Sequence, residues 1–319
     1  MDEFGLIARY FRPLSLGHDG ALQLTDDAAL LTPPPGCQLA VTKDAISAGV
    51  HFIGTEDPAW IAKKLLRVNL SDLAAMGATP LVYFLACILP KDTTEAWIAR
   101  FTEGLREDQA EFAIHLAGGD TISTHGPLSL SITALGTVPS GHALKRNAAQ
   151  PGDTIYVSGT LGDSTLGLAM LQAHKDGHDF LKHRYYFPQP RLALGQSLWG
   201  VANAAMDISD GLAQDLGHIC RASGVGATLY RQQLPVSPQA TTLLNADPNA
   251  WNAIISGGDD YELLFTVPPE KTPLIAPLSE TLALPLTAIG HITEGKNIHM
   301  QDETGQSLDI PHKGFRHFS

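Results

Sequence analysis

Two periodicities alternate along the chain. Short apolar runs, the mark of strands buried in a sheet, occur at 39–42, 81–89 and 128–138; between them apolar residues return every three to four positions over 58–77 and 94–116, as helices require. Asp57-Pro58 supplies a helix start, an N-cap followed by proline at the first helical position. Turn-rich Pro139-Ser-Gly and Gln150-Pro-Gly-Asp153 break the pattern and divide the chain into domains at 1–140 and 150–319. The second part restarts with a strand at 154–158, a Gly-rich turn and a helix from about 164. A strand–turn–helix unit follows at 204–223, with further strands at 227–230, 263–267 and 287–292. Strands interleaved with helices predict a two-domain α/β fold built in α+β layers.

Composition narrows the function. The 319 residues suit two ordinary domains. Asp+Glu 33 against Lys+Arg 21 leaves a net charge of −12, which repels nucleic acid and anionic membrane surfaces. No apolar run approaches the roughly 18 residues of a membrane helix, and the acidic start Met-Asp-Glu-Phe is unlike a basic leader. Cys37, Cys87 and Cys220 are too widely spaced for a metal pair and odd in number for a disulfide framework. A cytoplasmic enzyme is the expectation.

Aspartates carry the chemical signal. Ile61, Leu65, Val68, Asp72, Ala75 and Met76 share one helical face, with Lys63, Lys64 and Arg67 on another sector. A carboxylate in a core-facing stripe requires an ion pair, a cap or a bound cation, and burial favours the cation. Asp44 and Asp120 stand at the ends of apolar runs, Asp207 and Asp210 flank Ile208-Ser209, and Asp26-Asp27 and Asp259-Asp260 are paired. Each alone reads as a turn residue; together, with no His/Cys cluster of zinc spacing, they select a hard cation, Mg²⁺ above all where phosphates complete its shell.

Phosphate loops are weakly represented. Gly290-His-Ile-Thr-Glu-Gly-Lys-Asn297 lacks the Ser/Thr of a Walker loop and reads as a short hairpin. Gly159-Thr-Leu-Gly-Asp-Ser-Thr-Leu-Gly167 reads as a tight turn in which Asp163 or Ser164 caps the helix, with anion binding as the alternative. There is no GxSxG nucleophile elbow. Residue chemistry points to a Mg²⁺-dependent phosphate enzyme without a P-loop; a nucleotide-binding module without turnover is the rival.

Over nearly its whole length the chain resembles the thiamine-monophosphate kinase family, in the superfamily of aminoimidazole ribonucleotide synthetase and selenophosphate synthetase. The resemblance lies in Leu24-Thr-Asp-Asp-Ala-Ala29, Val41-Thr-Lys-Asp44, Ala48-Gly-Val-His-Phe52 and Asn69-Leu-Ser-Asp-Leu-Ala-Ala-Met-Gly-Ala78. It continues in Gly118-Gly-Asp-Thr121, Met206-Asp-Ile-Ser-Asp-Gly-Leu212, Gly257-Gly-Asp-Asp-Tyr-Glu-Leu263 and Gly314-Phe-Arg-His-Phe318. It implies ATP-dependent phosphorylation of thiamine monophosphate, with Asp27, Thr42, Asp44, Asp72, Asp120, Asp207 and Asp210 holding several Mg²⁺ ions. Asp44, Asp72, Asp120 and Asp210 are the catalytic members of that set. Gly119, Asp120, Arg146 and Ser209 are implied to contact ATP, and His51, Asp259 and Phe315 the acceptor. Lys43 stands where the family usually has Ser or Thr, and Asp259 where it has Glu. The resemblance also implies a homodimer whose N-terminal mixed sheets pair into a barrel, joined to a C-terminal α/β domain. The apolar run 81–89, a poor exposed edge strand, points to the same pairing.

Overall fold

Exposure alternates along residues 37–47, as in a strand with one solvated face; in the computed structural model, which describes residues 3–310, this is one strand, β1 (Cys37–Ser47). The expected strand was only 39–42. Lys43 and Asp44 interrupt the apolar run without interrupting the ladder, because alternate side chains leave the core. β1 joins β2 (Thr79–Pro90), β3 (His115–Thr124) and β4 (Ser129–Pro139) in a sheet ordered β1-β4-β2-β3. β4 is antiparallel to β1 and β2, and β3 is parallel to β2.

Three expectations are corrected here. β2 is interior, bonded to β4 on one side and β3 on the other, so it is not an exposed edge. Residues 115–116 belong to β3 rather than to a helix, since the chain leaves the preceding helix at Ala113 in a left-handed conformation, φ 51°. Asp44 and Asp120 lie within strands, not at their ends.

Two long helices accompany this sheet, α1 (Pro58–Ala75) and α2 (Glu95–Phe112), besides short helical turns before β1. The Ala59 amide donates to Asp57 Oδ1 at 2.8 Å, the start that Asp57-Pro58 predicts. Ile61, Leu65 and Val68 are buried as expected, but so are Lys64 and Arg67 of the other sector, while Met76 is exposed. Arg67 is admitted to the interior by α2: its Nε and Nη2 donate to the Asp108 carboxylate at 2.7 and 2.8 Å. Burial without that partner would be strongly unfavourable.

The chain divides into two units, one of residues up to Leu73 with Ala78–Gly141, the other of Ala74–Gly77 with residues from His142 onward. The second unit holds β5 (Thr154–Ser158), β6 (Ala204–Asp207), β7 (Gly226–Tyr230), β8 (Leu263–Val267), β9 (Leu286–Thr293), β10 (Ile298–Gln301) and β11 (Ser307–Leu308). Their order is β11-β10-β7-β9-β5-β8-β6. Ile155, Val157, Met206 and Leu264 pack in one core layer, and Ala205, Leu263, Phe265 and Val267 in another. A sheet covered on both faces explains why β5, β6 and β8 read as apolar runs rather than alternations. Its helices are α3 (Asp163–Gln172), α4 (Asp179–Tyr186), α5 (Leu192–Ser197), α6 (Leu212–Ser223), α7 (Pro238–Ala246), α8 (Ala250–Ser256) and α9 (Ile275–Leu282).

The Gly290–Asn297 segment is not a hairpin: β7 lies between β9 and β10, bonded to both. Nor does Asp163 or Ser164 cap α3. Gly162 occupies the cap with φ 78°, and its amide donates to the Asp260 carboxylate at 3.0 Å.

Candidate active site

In the first unit, the site begins where β1 meets α1. Asn69 Nδ2 donates to the Leu65 carbonyl at 2.9 Å, and Asn69 Oδ1 accepts the Asp44 amide at 3.0 Å, so strand and helix are tied at Asp44. Thr42 Oγ1 donates to Asp72 Oδ2, bringing together two further predicted residues. Asp44 and Asp72 are half-buried. Beyond β1, the Gly49 amide donates to the Phe52 carbonyl at 2.7 Å, closing a turn. His51 Nδ1 there accepts the Ser47 amide at 3.1 Å. That bond makes Nδ1 the unprotonated nitrogen of neutral His51 and leaves the proton on Nε2.

A cleft of about 410 Å³ in the same unit is lined by Asp27, Gly119 and Asp120, together with Asp26, Phe84 and Gly118. The backbone approaches closely here: a Cβ on Gly119 would stand 2.0 Å from the Leu85 carbonyl oxygen. Asp120 Oδ1 accepts the Thr121 amide at 2.8 Å.

Strand register separates the carboxylates into two sets. Ala45 is opposite Ser131, Ser131 opposite Ala86, and Ala86 opposite Asp120. Asp120 therefore shares a sheet face with Ala45 and Lys43, and lies on the face opposite Thr42 and Asp44. Among the described residues, no three His, Cys, Asp or Glu side chains stand close enough together to hold a metal ion. Lys43 reaches Thr133 Oγ1 at 3.4 Å on the outer face, so its side chain is turned away from Asp44.

In the second unit Asp207 ends β6, buried, and the loop Ile208–Gly211 leads into α6. Two backbone bonds zip this loop to the one before β8: Asp259 N donates to Ser209 O at 2.8 Å, and Tyr261 N to Ile208 O at 2.9 Å. Asp259 and Tyr261 hold left-handed conformations, φ 70° and 53°, which non-glycine residues adopt only when the surroundings impose them. Ser164 Oγ donates to Asp259 Oδ2 at 3.0 Å, and Gln214 Nε2 to Asp210 Oδ2 at 2.8 Å. Arg146 is exposed. Burial and the guanidiniums of Arg221 and Arg146 push the His218 pKa down while Asp210 pulls it up. Phe315 lies outside the described residues.

Three acidic residues support these loops: Asp260, noted in the sequence only as the neighbour of Asp259, and Glu262 and Asp215, which were missed there. Asp260 is buried, its carboxyl pushed well above the ordinary range by desolvation against the opposing pull of the Gly162 amide. Glu262, also buried, accepts Ser158 Oγ at 2.5 Å, Arg184 Nη2 at 2.8 Å and Arg191 Nε at 2.6 Å. Asp215 Oδ2 accepts the amides of Ser209, Asp210 and Gly211 at 3.0, 3.0 and 3.1 Å. Burial pushes the Asp215 carboxyl up to about 7 in spite of those donors. A signal for Asp215 was present: it falls on the Leu212, Leu216, Ile219 stripe, as Asp72 falls on its own.

All the predicted ligands are oxygen donors, which fits a hard divalent cation.

The chain matches two family models, AIR synthase related protein, N-terminal domain, over residues 25–138, and AIR synthase related protein, C-terminal domain, over residues 150–303. It is 43% identical over 323 residues to the thiamine-monophosphate kinase of Escherichia coli (strain K12), covering 99% of this chain and 98% of that one. Among solved structures, it is similar to the thiamine-monophosphate kinase of Stenotrophomonas maltophilia K279a, with TM-score 0.87 and 42% identity over 97% of this chain and 98% of that one. It is also similar to AaThiL complexed with AMPPCP and TMP, with TM-score 0.79 and 30% identity over 99% and 97% of the two chains.

Proposed function

The chain belongs to the thiamine-monophosphate kinase family of AIR synthase related proteins, and from that premise we propose that it transfers the γ-phosphoryl group of ATP to thiamine monophosphate, giving thiamine diphosphate and ADP. The observation that carries this reading is the zipped pair of loops in the second unit. The loop carrying Ser209 and Asp210, the nucleotide- and metal-side residues, accepts Asp259 N at Ser209 O (2.8 Å) and Tyr261 N at Ile208 O (2.9 Å), and so is joined to the loop carrying Asp259, the acceptor-side residue. Such a block can present donor and acceptor phosphates at a fixed separation, which is the main task in phosphoryl transfer.

The acceptor is a phosphate monoester whose second pKa of about 6 leaves it ionised at neutral pH. The nucleophile needs no base, and transfer proceeds directly, in line, to the acceptor oxygen. Asp27, Thr42, Asp44, Asp72, Asp120, Asp207 and Asp210 would hold Mg²⁺, which when bound neutralises phosphate charge. Gly119 and Asp120 line the cleft offered to the nucleotide, and exposed Arg146 is assigned to ATP by the family pattern. His51, protonated at Nε2, can act as a donor toward the acceptor, and Asp259 is assigned to the acceptor by the family pattern. Phe315 is assigned to the acceptor by the family pattern alone.

The working form is a cytoplasmic homodimer. The outer face of the first sheet supports this: Val41 is 61% exposed and Ile122 51%, with Leu39 also exposed, an apolar surface that a second copy would cover. No helix among the described residues is long and apolar enough to cross a membrane. The test is ADP formation from Mg-ATP with a panel of phosphorylated acceptors. ADP is expected in proportion to thiamine diphosphate, and only with thiamine monophosphate. ATP binding without acceptor-dependent ADP would leave a nucleotide-binding module instead. With ATP chiral at the γ-phosphorus, inversion is expected; retention would refute direct transfer.

A further inference from the structure

Asp215 is 1% exposed in the first turn of α6, where a carboxylate ordinarily faces solvent. Its Oδ2 gathers three consecutive amides, those of Ser209, Asp210 and Gly211, from the segment preceding its own helix. Three donors on one oxygen draw the loop into a ring around the carboxylate. The ring is closed through Gly211, whose φ of 115° and ψ of 146° suit glycine and whose Cβ, if present, would stand 2.8 Å from the Gly257 carbonyl oxygen.

With the amides turned inward, neighbouring carbonyls are presented outward. Ile208 O and Ser209 O are the two acceptors for Tyr261 N and Asp259 N. One carboxylate thus sets the peptide orientation of the loop that carries Ser209 and Asp210, and through two backbone bonds that of the loop that carries Asp259. We propose that Asp215 is a positioning residue which holds the nucleotide loop and the acceptor loop as one block, without itself touching either substrate. The proposal rests on the assignment of Ser209 and Asp259 given above. Asp215 also fills the concavity formed by its three amides, so those amides are spent internally and the phosphates must be met by the side chains around them.

The variants are Asp215→Asn, which keeps one acceptor oxygen and the side-chain shape, and Asp215→Ala, which keeps neither. The first measurement is amide hydrogen exchange on the full chain without ligand, so it does not depend on which substrates the protein uses. Exchange at 209–211 and at 259–261 should accelerate at least about tenfold in Asp215→Ala and less in Asp215→Asn, with β5 and β8 as protected as in the wild type. The second measurement is steady-state kinetics normalised to folded enzyme. Michaelis constants for ATP and for the acceptor should rise together, by about tenfold in Asp215→Ala, with partial recovery in Asp215→Asn. A residue that only stabilised the fold would lower the folded fraction and leave both constants unchanged. Unchanged constants in Asp215→Asn and Asp215→Ala, or acceleration spread evenly over the sheet of the second unit, would overturn the proposal. If Asp215→Ala does not fold, Asp215→Asn alone decides it, through localised exchange at both loops. If the wild type fails to use thiamine monophosphate, the functional reading falls while the exchange result still stands.

Discussion

Replacing Gly258 by alanine tests the joined loops directly. A Cβ at Gly258 would stand 2.0 Å from the Ser209 carbonyl oxygen, 3.0 Å from its carbonyl carbon and 3.1 Å from the Asp210 Cα. Ordinary C···O contacts begin near about 3.3 Å, so the loops must part by roughly 1.3 Å. Backbone gives way here rather than a flexible side chain, and the bonds from Asp259 N and Tyr261 N, 2.8 and 2.9 Å long, are the ones stretched. Losing two net hydrogen bonds costs about 1–3 kcal/mol, offset by about 0.4–1 kcal/mol from the stiffer unfolded chain. The net loss of stability should be only about 1–2 kcal/mol. Activity is more sensitive, since a displacement of about 1 Å can cost about 100-fold. Urea denaturation should therefore find the variant folded, while coupled ADP release shows kcat/KM reduced about 100-fold. Wild-type kcat/KM in folded Gly258→Ala would refute the claim that the spacing of these loops matters.

Four further outcomes are expected. Excess chelator should abolish transfer and added Mg²⁺ restore it; full activity in chelator would remove the cations from the mechanism. Asp72→Asn keeps an oxygen to accept the Thr42 hydroxyl, so thermal stability should hold or rise while turnover falls at least about 100-fold; near-normal turnover at saturating Mg²⁺ would exclude Asp72 from the site. Val41→Glu with Ile122→Glu should convert a dimer to a monomer in sedimentation velocity, and an unchanged dimer would place the interface elsewhere. Burial raises the Asp163 pKa more than the hydroxyls of Ser237 and Thr160 lower it, so above the ordinary carboxylate range the folded chain keeps a proton that the unfolded chain has released. Its contribution to stability therefore falls as pH rises through that window, and urea melts of Asp163→Asn should show a flatter decline than the wild type.

Strands whose faces are both covered were legible in the sequence: β5 and β8 have the bounds that the pattern predicts, 154–158 and 263–267, because no solvated face breaks their apolar runs. β3 was not, since Gly118, Gly119 and Asp120 have poor strand propensity and pair only because β2 offers a parallel partner. Arg67 was placed on the right helical sector but in the wrong environment; Asp108, 41 residues away, admits it to the interior, and helical periodicity carries no information about another helix. The aspartates of the candidate site were visible as residues out of place on apolar patterns. Their division between two sheet faces required the register of four strands. Asp215 satisfied the criterion applied to Asp72, but its carboxylate bonds to backbone, which leaves no complementary residue in the sequence.

The sheet order of the second unit also governs when that sheet can exist during synthesis. β5 is bonded on one side to β8, Thr154 facing Val267, and on the other to β9, Thr154 facing His291. β6 likewise waits for β8, Ala204 facing Thr266. At roughly 5–20 residues per second, the ribosome delivers β8 about 6–20 s after β5. Through that interval Ile155 and Val157, fully buried in the finished fold, have no strand to join. The first sheet is different, because its last strand ends at Pro139, before β5 has been made. A nascent chain stalled before Leu263 would thus hold every strand of one sheet and three unpaired strands of the other, β5, β6 and β7, the state in which a chaperone that shields apolar segments is needed most.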